Sequence, residues 1–153
     1  MKIYIATDHA GYDLKGQLVS YLKKELGHDV VDMGAHEYSP GDDYPDYISL
    51  AAREVSHDPG RARGIVLGGS GAGEAVVANR FRNVRCVVYY GGPLDIVRLS
   101  REHNDANILS LGARFLSTDE AKAAVKLWLE TAFSEDERHV RRLEKIEQIW
   151  PYK

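Results

Sequence analysis

Gly64-Ile65-Val66-Leu67-Gly68-Gly69-Ser70-Gly71-Ala72-Gly73-Glu74 is the stretch on which the fold turns. Its apolar run, Gly64–Leu67, shows no alternation of polar and apolar residues, so it reads as a strand buried on both faces. The glycines allow a tight turn, and the pattern over Ala75–Phe81 predicts a helix. The same strand–turn–helix unit recurs on either side. Upstream, Ile3-Tyr4-Ile5-Ala6 is strand-like, and Leu14, Leu18, Leu22 and Leu26 mark one face of a helix that Gly27 stops. Asp29–Met33 reads as a second strand, 34–44 as a loop and Pro45–Ser56 as a helix with proline in its first turn.

Downstream, Arg85–Tyr89 and Asn107–Leu111 read as the fourth and fifth strands, with a helix over Leu94–His103 between them. Ser117-Thr118-Asp119-Glu120 carries the signature of a helix N-cap, and a last helix spans roughly Glu135–Ile149. This alternation predicts an α/β fold: a Rossmann-like three-layer α/β/α sandwich with a five-stranded parallel sheet and an extended C-terminal helix. Ligands in such folds sit beyond the carboxyl ends of the strands. Attention therefore falls on Asp8-His9, the 34–44 loop, Gly68–Glu74, Tyr90–Pro93 and Gly112-Ala113-Arg114.

A chain of 153 residues, 44% of them hydrophobic, fits a single domain over 1–153 with a substantial core. A net charge of −3 gives no general attraction to nucleic acid or to an anionic membrane, so any anion site must be a local cluster of basic groups. One cysteine, Cys86, excludes an internal disulfide framework and fits a reducing compartment. Without a signal-like N-terminus or a membrane-length apolar run, the expectation is a soluble cytoplasmic protein.

The glycine turn could let backbone N–H groups approach an anion at a helix start. It matches neither the dinucleotide fingerprint, whose third glycine falls one residue later, nor the P-loop lysine pattern. Glu74 in the first helical turn could simply complement the helix dipole. Beside a cradle of backbone donors it could also be the base that removes a proton alpha to a carbonyl. Arg101–Asn107 is a second dense polar segment, in which His103 is placed for acid–base work. Arg138 and Arg142, four apart on a helix, can share one phosphate, although alone they read as a solvated face. No spacing of His, Cys, Asp or Glu makes a metal site.

Taken in order, Ala6-Thr7-Asp8-His9-Ala10-Gly11, Asp43-Tyr44-Pro45, Gly69–Gly73, Ala78-Asn79, Arg101–Asn107, Gly112-Ala113-Arg114 and Arg138-His139 resemble the ribose-5-phosphate isomerase B family. That group includes allose- and galactose-6-phosphate isomerases. The resemblance implies a cofactor-independent aldose–ketose isomerase of a sugar phosphate, ribose 5-phosphate first. Many members carry a base cysteine where this chain has Gly68; others use a glutamate, which matches Glu74. The implied roles follow. Glu74 shuttles the proton between C2 and C1, and His103 opens the furanose ring with help from Asp43. Ser70 and the backbone N–H groups around Gly71–Glu74 stabilise the enediolate, and Gly69, Gly71 and Gly73 bind the substrate. Asp8 and Asn104 bind sugar hydroxyls, and His9, Arg114, Arg138 and Arg142 hold the phosphate. The resemblance also implies a homodimer, or a tetramer of dimers, with sites shared between subunits.

The Tyr90–Asp95 turn departs from the pattern by its length and glycines, which bears on the choice of sugar. Three other readings make distinct predictions. A hexose 6-phosphate isomerase would prefer a larger sugar, and a subunit of a hetero-oligomer would be inactive alone. A flavodoxin-like nucleotide-binding module would hold a cofactor phosphate without chemistry.

Overall fold

Ile3, Ile5, Ile65, Leu67, Leu109 and Leu111 face one hydrophobic cluster, while Tyr4, Ala6, Val66 and Ile108 face another. That division is the period-two alternation of strand side chains, and a strand apolar on both faces requires a covering layer on each. The computed structural model describes residues 1–149. Its strands are β1 Lys2–Thr7, β2 Asp29–Asp32, β3 Ala62–Gly68, β4 Cys86–Tyr89 and β5 Ile108–Gly112. They form one parallel sheet in the order β2-β1-β3-β5-β4.

The helices are α1 Tyr12–Lys24, α2 Tyr44–His57, α3 Ala72–Ala78, α4 Asp95–Asn104, α5 Thr118–Glu130 and α6 Glu137–Glu147. Leu14, Leu18 and Leu22 of α1, Val97 of α4, and Ala121, Ala124, Val125 and Trp128 of α5 fill the first cluster. Ile48, Ala51, Ala52 and Val55 of α2 and Ala75 and Ala78 of α3 fill the second. Each fully buried aliphatic side chain contributes about 1.5–3 kcal/mol of transfer free energy. Helix α5 starts on a complete capping box: Ser117 accepts from the Glu120 backbone, and the Glu120 carboxylate accepts from the Ser117 backbone at 2.9 Å.

The α/β/α expectation holds, with corrections at element ends. The third helix begins at Ala72 rather than Ala75, because Gly71, at φ 78°, serves as its N-cap and draws Gly73 and Glu74 into the first turn. The last helix is Glu137–Glu147, shorter at both ends than 135–149. Asn79, in a block shared with the family, has a structural task. Its amide donates to the Cys86 carbonyl at 3.0 Å and accepts from the Cys86 N–H at 2.8 Å, pinning edge strand β4 to α3.

The chain leaves β1 toward β2 on one side and returns to β3 on the other, so the order reverses between β1 and β3. Loops diverge at such a switch point and open a crevice at the carboxyl ends of the strands. Buried Lys15 braces the β2 side of this crevice, its Nζ donating to Asp32 at 2.7 and 2.8 Å and to the Ala35 carbonyl at 2.6 Å. Among the described residues, no helix is long and apolar enough to cross a membrane.

Candidate active site

Asp8 and His9 stand where β1 ends. The Asp8 carboxylate accepts from the Ala10 N–H at 2.9 Å, which starts a single 3-10 turn over His9–Gly11 and holds Asp8 at 6% exposure. His9 is fixed from across the crevice. Its backbone N–H donates to Asp42 Oδ1 at 3.0 Å, and its ring Nδ1 lies 2.7 Å from the same oxygen. The Asp42 side chain is buried, and its Oδ2 has no hydrogen-bond partner. Burial, then the Asp42 and Asp46 carboxylates, hold the neighbouring Tyr47 phenol above its ordinary value.

The glycine turn after β3 is locked to the start of the loop after β5. The Ser110 hydroxyl donates to the Gly71 carbonyl at 2.6 Å, Ala113 N–H to Gly68 at 2.8 Å and Arg114 N–H to Gly69 at 3.1 Å. Arg114 lies so close to Gly69 that a Cβ there would sit 3.3 Å from its Nη1. Glu74, in the first turn of α3, is only 4% exposed. Burial pushes its carboxyl above the ordinary value; its own backbone N–H lowers it in part, and Asp8 raises it further. A Cβ on Gly68 would overlap the Glu74 carboxylate, so the glycine leaves the space this acid occupies.

These groups line one cleft of about 530 Å³: Asp8, His9, Gly69, Ser70, Gly73, Glu74 and Arg114, with Ala10, Tyr44 and Phe115. A buried, raised carboxylate facing basic groups and backbone donors can carry out proton transfer on a bound anionic substrate. Asp8, His9 and Asp42 also bring one ligand atom each within 4.8 Å of one another. A cation there would have to replace the hydrogen between Nδ1 and Asp42.

Several expected site residues lie elsewhere in this chain. Gly71 is buried beneath the turn rather than lining the cleft. Asp43 is exposed and outside the lining, while its neighbour Asp42 makes the contact to His9. His103 and Asn104 end α4, which runs back to the amino edge of the sheet, as a parallel crossover must. Arg138 and Arg142 are exposed on α6, which packs on α4. One chain therefore does not bring His103, Asn104, Arg138 and Arg142 to its own Glu74.

The polar block Arg101–Asn107 is largely structural. Arg101 bonds Asp105 at 2.7 Å and the Ala106 carbonyl at 2.6 Å, and Asn107 bonds the Arg85 N–H at 2.8 Å. Sequence alone does not single out Asp42, Tyr44 or Phe115: Tyr44 stands within one of the blocks quoted above, and no local signal marks Asp42 or Phe115.

Fold and cleft together define a site fit for proton transfer on an anionic substrate, and comparison with known proteins gives its family. Residues 3–146 match the Ribose/Galactose Isomerase family. The chain is 41% identical over 149 residues to ribose-5-phosphate isomerase B of Mycobacterium leprae, covering 97% of this chain and 90% of that protein. Its structure resembles ribose-5-phosphate isomerase B of Clostridium thermocellum (TM-score 0.89, 40% identity, 97% of each chain). It also resembles that of Mycoplasma genitalium with bound ribulose-5-phosphate (TM-score 0.90, 33% identity, 96% of this chain and 94% of the other). The chain belongs to the ribose/galactose isomerase family.

Proposed function

We propose that this protein interconverts ribose 5-phosphate and ribulose 5-phosphate through an enediolate, without a metal or cofactor. The observation that carries the reading is Glu74: a buried carboxylate held above its ordinary value, beside the glycine turn, in a cleft that also holds Asp8, His9, Ser70 and Arg114. Relatives named for this reaction, one of them with ribulose-5-phosphate bound, support the substrate.

In the open-chain aldose, the Glu74 carboxylate takes the C2 proton and returns it to C1, while the C2 hydroxyl proton passes to O1. The N–H groups of the first α3 turn lack intrahelical acceptors and, with Ser70, can bind the oxyanion. Asp8 orients sugar hydroxyls, and His9 and Arg114 take the phosphate. His103, Asn104, Arg138 and Arg142 act from a second copy of the chain: His103 opens the furanose ring, Asn104 binds a hydroxyl and the arginines complete the phosphate site. Asp43 assists ring opening. The functional unit is a homodimer, or a tetramer of dimers.

The test is ketose formation from ribose 5-phosphate by the purified protein with EDTA present. Rapid turnover is expected. If activity appears only with allose or galactose 6-phosphate, the pentose assignment is overturned. If none of these sugars reacts, the self-sufficient homo-oligomeric isomerase is overturned in favour of a subunit that needs a related partner chain or of a binding module.

A further inference from the structure

Among the described residues of α6, His139 alone is buried, at 3% exposure. Its ring lies against that of His103, with centroids 4.3 Å apart and planes 13° from parallel. Its Nε2 is buried without a hydrogen-bond partner; the nearest acid, Asp136, stands 3.9 Å away. Leaving such an atom unpaired is costly, and a phenylalanine or leucine would fill the space without that cost. A flat polar ring is therefore kept here for something besides filling space.

What it does is set by its neighbour. His103 is half-buried on the last turn of α4, where χ angles alone would leave its ring several orientations. The stack selects one plane. The same contact joins α6, with Arg138 and Arg142, to the end of α4, and a second tie runs from the Ser134 N–H to the Glu102 carbonyl at 3.1 Å. Burial, then His103 and Arg138, hold the His139 imidazole below its ordinary value, so the ring that stacks on His103 is neutral near pH 7.

We infer that His139 is a positioning residue for ring opening: its stacked ring fixes the orientation in which His103 meets the furanose. The inference rests on the isomerase reading and separates two steps within it. Ring opening needs His103; proton transfer between C1 and C2 is carried by Glu74 and does not need His103. Starting from ribulose 5-phosphate, which has no furanose ring to open, exchange of the C1 hydrogen with D₂O reports the second step without the first.

His139→Ala is expected to lower kcat for ketose formation from ribose 5-phosphate by tenfold or more, since misplacing a catalytic group costs up to ~10²-fold. C1 exchange from ribulose 5-phosphate should stay within about twofold of wild type, which also shows that the variant is folded and binds phosphate. His139→Phe keeps a flat ring in the stack and should recover most of the lost turnover. The inference is overturned if ketose formation and C1 exchange fall together, if neither falls, or if phenylalanine does no better than alanine. Wild-type protein inactive in both assays would instead overturn the reading of this chain as a self-sufficient ribose-5-phosphate isomerase, and this inference with it.

Discussion

Nδ1 of His9 lies 2.7 Å from Oδ1 of Asp42, and the backbone N–H of His9 donates to the same oxygen at 3.0 Å. One buried carboxylate thus fixes both the main chain and the ring of the residue assigned to the phosphate. Hydrogen bonds to charged groups contribute roughly 1.5–3 kcal/mol, and 1.4 kcal/mol is tenfold in affinity. Asp42→Asn should raise KM for the sugar phosphate by about tenfold while kcat changes little. Steady-state kinetics check this; an unchanged KM with a lowered melting temperature would reduce Asp42 to a structural role.

Gly68 and Glu74 compete for one volume. Because a Cβ at 68 would overlap the Glu74 carboxylate, Gly68→Ala must push the acid out of place. Displacement of the base should cost kcat on the order of 10²-fold, with inhibition by inorganic phosphate nearly unchanged. Measuring kcat beside the phosphate inhibition constant tests the assignment; a fully active Gly68→Ala would show that Glu74 moves freely.

How much could be read from residue order follows from the range of the interactions. Ile65-Val66-Leu67 declares a doubly buried strand locally, and Ser117 with Glu120 declares a helix start within four residues. Strand order is not local: β5 lies beside β3, and only that places Arg114 against Gly69. The His9–Asp42 contact joins residues 33 apart, and nothing near Asp42 distinguishes it from Asp43. His103 and Asn104 look like neighbours of the site in a list of motifs, yet the return of α4 to the amino edge separates them from Glu74 within one chain.

Glu74 ties activity to stability through its proton. Glu74→Gln should lower kcat by about 10²–10⁴-fold. Burial raises the carboxyl in the folded state, so the unfolded chain loses its proton first. The resulting penalty on the native state is absent below the ordinary glutamate range. It grows as pH rises toward the raised value and is constant above it. Glu74→Gln should therefore melt at a higher temperature than wild type at neutral pH, and this advantage should vanish in acid. Melting curves across pH check the sign, and a variant less stable at pH 7 contradicts it. Where the protein holds its fold, the acid limb of kcat/KM should lie above the ordinary glutamate range.

Cys86 supplies the opposite case, a reactive residue type kept from reacting. It is buried in β4, and burial, followed by the Glu74 carboxylate, pushes its thiol well above the usual range. The nucleophilic thiolate is therefore scarce at neutral pH, so alkylation of the folded protein should be slow. Native protein treated with iodoacetamide should keep its turnover, and Cys86→Ala should keep kcat and KM within about twofold. Deleting a small buried group costs on the order of 1 kcal/mol, so a modest fall in melting temperature is the expected change. Rapid inactivation by iodoacetamide, tracked to Cys86 by mass spectrometry and absent in Cys86→Ala, would transfer the catalytic base from Glu74 to the thiol.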